Sequence, residues 1–274
     1  MSAVLLLVLA LLLAGCGGEG SGGARWTAPE LEDPETIRLG TGPTVTRLDP
    51  GRDYVVELPE QTKRGATVLV GGRNVVIDGG SIAVRPTADG DERRRALYIK
   101  DARGTVHVED VRIDGSGAPS DGVAISAPDA VVQLQDLAVE DLRGSVSGWH
   151  ADIVQPWGGV RELRIDRLRG SSNYQGLFLR PDLGEIGRVV LSRVDLRLTD
   201  EPTDGGGHLL WLATGCDAPE VTLEDVRLSA DDGRPAEQLV WPQPDDPKCP
   251  ARAAGGRLSW PGLPVNGTVT AGAR

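Results

Sequence analysis

The scarcities of this chain set the first limits. Its 274 residues hold three lysines (63, 100 and 248), three histidines, three cysteines and ten aromatic side chains: six Trp, three Tyr and one Phe. Basic residues number 29 against 40 acidic ones, a formal charge of -11. That balance excludes a duplex nucleic acid as partner, because an acidic protein repels the phosphates it would have to neutralise. After residue 14 no apolar run approaches the length of a membrane span. Helix-length apolar stripes are also scarce, while 37 glycines and 19 prolines punctuate the chain, which argues against a helical bundle. There is no zinc-type cysteine spacing, no phosphate-cradling glycine loop and no Gly-x-Ser-x-Gly elbow. What remains, 39% hydrophobic and 25% charged, is a globular composition.

The one long apolar run is Val4 to Ala14. Eleven residues are too few to span a bilayer but suit the core of an export signal. It ends in Leu13-Ala14-Gly15-Cys16, which resembles the lipobox of bacterial lipoproteins, although Met1-Ser2-Ala3 lacks the usual basic residue. The resemblance implies a signal peptide over residues 1–15 and lipidation of Cys16. The glycine-rich residues 16–25 read as a tether, and residues 26–274 as the folded domain. The expected location is outside a bacterial cell membrane, held by the lipid alone. In an exported chain the remaining Cys216 and Cys249 meet an oxidising compartment and read as a disulfide. A metal site is the rival, without the spacing to support it.

The body repeats. Val108-Glu109-Asp110-Val111-Arg112-Ile113 is followed by similar runs centred on Leu137, Leu168, Val194 and Val226, at intervals of 26, 31, 26 and 32 residues. An earlier copy stands at Val75-Val76-Ile77-Asp78-Gly79-Gly80. Units this small cannot bury their own apolar face and must stack on their neighbours. Short alternating strands broken by Gly, Asp and Asn favour stacked β-coils; a β-sandwich is the structural rival. The layout resembles the right-handed parallel β-helix of the pectate-lyase-like superfamily over residues 65–235. The expected fold is therefore all-β, a single-stranded right-handed parallel β-helix of about seven coils. Residues 39–59 would lead into it, and the tail from Pro242 would cover its far end.

One coil departs from the repeat: Ser147-Gly148-Trp149-His150-Ala151-Asp152-Ile153-Val154-Gln155-Pro156-Trp157. In a regular strand His150 and Asp152 would face the core with Val154. Either the chain kinks near Ile153, or His150 and Asp152 form a buried hydrogen-bonded pair. A histidine oriented by a carboxylate is one route to a general base near neutral pH; a structural pair at a coil corner is the other reading. The His-x-Asp-x-x-Gln run resembles one found in exported bacterial β-helix proteins associated with polysaccharides.

Aligning Pro156 with Pro181 sets Gln155 against Arg180, Ile153 against Phe178 and His150 against Gln175. Lys100 and Ser126 then join the Gln155 column, Trp211 joins Phe178, and His208 joins Gln175. A polar strip beside an aromatic strip is a surface that suits a glycan. The candidate catalytic residues are His150, Asp152 and Arg180. The candidate contacts are Gln155, Trp157, Tyr174, Gln175, Phe178, Lys100 and Trp211. The superfamily's lyases use a basic side chain to take a proton beside a uronate carboxylate, so the resemblance implies a polysaccharide or oligosaccharide substrate and a lyase-like reaction. A non-catalytic glycan- or surface-binding module and a ligand-free spacer stay open. No cofactor is expected; calcium at the acidic turns Asp89–Glu92, Asp200–Asp204 and Asp231–Asp232 is the weaker alternative, since none of them has regular ligand spacing. The superfamily glycosidases' Asp-Asp and Gly-His-Gly motifs are missing.

Overall fold

The computed structural model describes residues 26–85, 91–200 and 206–272. The signal, the Cys16 lipidation site and the whole tether lie outside them. The described chain is an all-β parallel solenoid. One sheet stacks strands Tyr54–Glu57, Val75–Asp78, Thr105–Glu109, the later part of Asp121–Leu142, Val160–Ser172, Ile186–Leu198 and Glu220–Ala230, each parallel to the next. The other stacks Thr44–Leu48, Thr67–Gly71, Arg95–Lys100, the start of Asp121–Leu142, Val154–Gln155, Leu177–Phe178, Leu210–Trp211 and Val240–Trp241. Counted as regular coils the solenoid has about five turns, against the seven that the repeat predicts. Short strands before Arg95 and after Trp241 continue the ladders as leading and closing pieces.

The repeat anchors are core positions. Val111, Leu137, Leu168, Val194 and Val226 are all buried. Immediately before each stands a residue in the left-handed region: Asp110, Asp136, Arg167, Arg193 and Asp225, all with φ between 51° and 54°. This corner turns every coil the same way. Aspartate tolerates that conformation, whereas arginine does so only at a cost. The two arginines are fixed by ion pairs: Arg167 donates to both carboxylate oxygens of Asp136 (2.5 and 2.7 Å), and Arg193 to both of the fully buried Asp166 (2.8 and 2.6 Å).

The C-terminal end of the coil stack is closed. A disulfide joins Cys216 and Cys249, whose Cα atoms are 5.6 Å apart, as the cysteine pair predicts. The antiparallel strands Arg252–Ala254 and Arg257–Ser259, with Val265–Ala271, close the C-terminal end. At the other end of the chain, the Trp26 amide donates to the buried Gln135 side chain (2.9 Å) and the Glu32 amide to Asp53 (2.7 Å). The segment between them therefore lies across the outside of the first sheet.

Candidate functional site

Strand alternation breaks at one corner of the second sheet. Ile153 and Val154 are consecutive, both fully buried in the same core cluster. A Cβ on Gly122, one coil earlier, would meet Val139 Cγ1 at 2.5 Å and the Ile153 carbonyl oxygen at 2.6 Å, so that position too faces inward. The chain is thus kinked at Ile153, and Asp152 and Gln155 flank the kink on the outer side.

The register differs from the proline alignment by two residues. Val154 pairs with Leu177, so Gln155 stands level with Phe178 and Asp152 with Gln175. The mismatch arises because this coil advances 23 residues in the sheet, whereas Pro156 and Pro181, which lie outside the strands, are 25 apart. One outward column therefore reads Tyr98, Ala124, Gln155, Phe178, Trp211, Trp241. A second, three residues earlier in each coil, reads Arg95, Asp121, Asp152, Gln175, His208, Gln238. Lys100 does pair with Ser126 but belongs to neither column.

Arg95, Asp121 and Asp152 form the densest electrostatic cluster here. Asp121 and Asp152 are 1% and 0% exposed. The Asp121 Oδ1 accepts from the Trp149 indole (3.0 Å) and the Asp152 amide (3.2 Å), while its Oδ2 lies 3.4 Å from Arg95 Nε. Among the described residues no donor reaches either Asp152 oxygen or the Gln175 Oε1. Burial pushes the Asp121 carboxyl up to about 7, against the opposing pull of Arg95. Asp152 is driven well above the carboxylate range, first by burial and then by the Asp121 charge. Two carboxyl groups in one dry site oppose each other's ionisation, so Asp152 holds its proton while Asp121 titrates. The Arg95 guanidinium is packed among the rings of Tyr98 (4.9 Å), Trp157 (5.2 Å) and Trp149 (5.4 Å). A cleft of about 260 Å3 lined by Arg95, Asp121, Trp149, His150 and Gln155 opens on this cluster.

The other candidates fall into two groups. Gln155, Trp157, Tyr174 and Gln175 gather around the acids: Trp157 lies 6.3 Å from Tyr98, and the buried Tyr174 ring lies 5.3 Å from His150. Phe178 and Trp211 pack edge to face (5.3 Å) further along. The Lys100 ammonium sits 5.1 Å from the Tyr98 ring. His150 and Asp152 do not form a hydrogen-bonded pair. His150 is exposed, with Nε2 3.1 Å from the Val146 carbonyl oxygen. Arg180 is chelated by Asp182, which raises its pKa and pulls Asp182 down to about 2; a guanidinium so held is a cation, not a base.

Sequence reasoning missed Asp121, Arg95 and Trp241. A signal for Asp121 was present: Asp121-Gly122-Val123 and Asp152-Ile153-Val154 are the same Asp-x-Val step one coil apart. Arg95 carries no such mark. Among the described residues, no group of three or more His, Cys, Asp or Glu side chains is placed to hold a metal ion. Among the same residues no helix is long and apolar enough to cross a membrane. No protein-family model matches this sequence, and no similar protein was found among curated proteins or solved structures.

Proposed function

We propose that this is an exported, Cys16-anchored protein that binds a polysaccharide along the outer face of its second sheet and cleaves it by proton transfer at Asp121 and Asp152. One observation carries the reading: two buried carboxyl groups one coil apart, Asp121 and Asp152, lie beside Arg95 and a row of aromatic rings, and burial raises the pKa of both. Rings stack on sugar faces, and a carboxylate titrating near 7 is a general base at neutral pH. The disulfide supports export, since such bonds persist in oxidising compartments.

The reaction class that fits is β-elimination at a uronate. Asp121 takes the proton next to the sugar carboxylate while Arg95 offsets the charge that develops there. The pair of electrons forms the carbon–carbon double bond, and the carbon–oxygen bond to the leaving chain breaks. The leaving oxygen takes a proton from Asp152, which burial keeps protonated. This assignment moves the base from Arg180, tied to Asp182, to Asp121. Because Trp149 lies over the pair, residues 143–150 must lift for substrate to enter.

The test is to incubate the protein with acidic and neutral polysaccharides while following unsaturated-product absorbance and reducing ends. A rise in both, abolished by Asp121→Asn, is expected. Reducing ends alone would replace elimination by hydrolysis. Binding without product would favour the second reading, a non-catalytic glycan-binding module; the near-complete burial of both carboxyl groups is the observation on its side.

A further inference from the structure

The aromatic column does not end at the acids. Beyond Phe178 it continues through Trp211 to Trp241, whose rings lie 5.4 Å apart and inclined by 35°. His208 presents its edge to both, 5.2 Å from Trp211 and 5.8 Å from Trp241. The three residues are half-exposed, unlike the buried Tyr98 and Phe178. His208 and Trp241 border a cleft of about 570 Å3 that is also lined by Arg234, Glu237, Gln238, Gln243 and Asp245. Trp241 stands three rungs from Gln155, about 14 Å at the usual spacing between strands. The cleft is therefore separate from the cluster of Arg95, Asp121 and Asp152.

Its electrostatics are one-sided. The Arg234 charge is met by Asp232, which it chelates through Nε (2.8 Å) and Nη2 (2.5 Å). Further along the column Arg180 is met by Asp182. Glu237 and Asp245 line the cleft with no ion pair among the described residues. Two carboxylates without an ion pair beside the half-exposed Trp241 indole favour a cation on both counts, by direct attraction and through the ring quadrupole. They disfavour a uronate. Gln238 and Gln243 add amide groups suited to sugar hydroxyls.

We propose that this C-terminal cleft is a second carbohydrate site, for an amino sugar carrying a protonated amine. The sugar stacks on Trp241 with its ammonium group toward Glu237 and Asp245. The inference rests on the reading of this face as glycan-binding but not on cleavage. Together with uronate chemistry at Asp121, it assigns the substrate to polymers that hold acidic and amino sugars in one chain.

The test is a titration of the full chain with glucosamine hexamer, its fully N-acetylated counterpart, choline and polygalacturonate, followed by tryptophan fluorescence at low salt. The expected order puts glucosamine hexamer first, with Trp241→Ala weakening it about tenfold, in the range of a desolvated cation–π contact. The double change Glu237→Gln with Asp245→Asn should weaken it comparably and abolish its preference over the acetylated hexamer. Trp241→Phe, which keeps a ring, controls for folding and should retain most of the affinity. Equal binding of both hexamers, preference for polygalacturonate, or no effect of these substitutions would overturn the site. Choline binding as tightly as the hexamer would also overturn it as a sugar site. The same titration on Asp121→Asn separates the two proposals, since that variant should lose any turnover yet bind glucosamine hexamer unchanged.

Discussion

At the scale of single residues, the informative groups are those whose surroundings are wrong for their charge. Asp121 and Asp152 hold protons that the unfolded chain would release near the ordinary carboxylate value of about 4. Their folded pKa values are raised, so their contribution to stability is complete below that value and is lost as pH rises through the folded values, about 7 for Asp121. Thermal unfolding between pH 5 and pH 8 should therefore show a falling midpoint. Asp152→Asn, which keeps the shape without the titration, should flatten that slope; an unchanged slope would place the protons elsewhere. Catalysis carries the opposite sign. Asp121 acts as a base only when ionised, so kcat/KM should climb as pH rises through about 7, and Asp121→Asn should remove the climb together with the activity.

Among elements, the repeated corner explains both what could be read in the sequence and what could not. The anchors at Val111, Leu137, Leu168, Val194 and Val226 were legible because each coil buries the same apolar position, and burial leaves a periodic trace. The left-handed residue before each anchor was less visible, because Asp110, Asp136 and Asp225 share the position with Arg167 and Arg193. What unites them is a conformation, and the arginines hold it through partners on neighbouring coils. Asp166 is the hinge of that arrangement, buried and bonded to both Arg167 and Arg193. Asp166→Ala should cost about 2 kcal/mol, because it removes the buried carboxylate that binds Arg193 and that Arg167 contacts besides Asp136, and denaturant titration would measure the loss. Arg193→Asn should cost less, since asparagine tolerates the left-handed region. The site was harder to read than the corner. Gln155, Trp157 and Phe178 were identified by residue type, but their columns depend on a kink at Ile153 and a coil two residues shorter than the proline spacing suggests. Periodicity reports only the average coil, and an irregular coil is where side chains leave the core for the surface.

For the whole molecule, linear stacking decides how disturbances spread. Each coil touches chiefly the coils before and after it, so stability is close to a sum of nearest-neighbour terms and the ends are its weak points. The Cys216–Cys249 bond ties the turn after Leu210–Trp211 to the segment after Val240–Trp241, across the last rung of the second sheet. Its loop of 33 residues corresponds to about 4 kcal/mol in the chain-entropy model. In a globular core that loss would be felt throughout; here it should remain local. Replacing both cysteines by serine should raise hydrogen exchange at Leu210–Trp211, Val240–Trp241 and the closing strand Val265–Ala271. The coils from Tyr54 to Glu109 should keep their protection, being several rungs away. The cleft at Trp241 lies on that last rung, so glycan binding there should weaken in step with the local exchange, while the titration of Asp152 and Asp121, two and three rungs from Trp211, stays as it was. A uniform rise in exchange along the chain would mean that the coils fold as one cooperative unit and that the disulfide stabilises the solenoid as a whole.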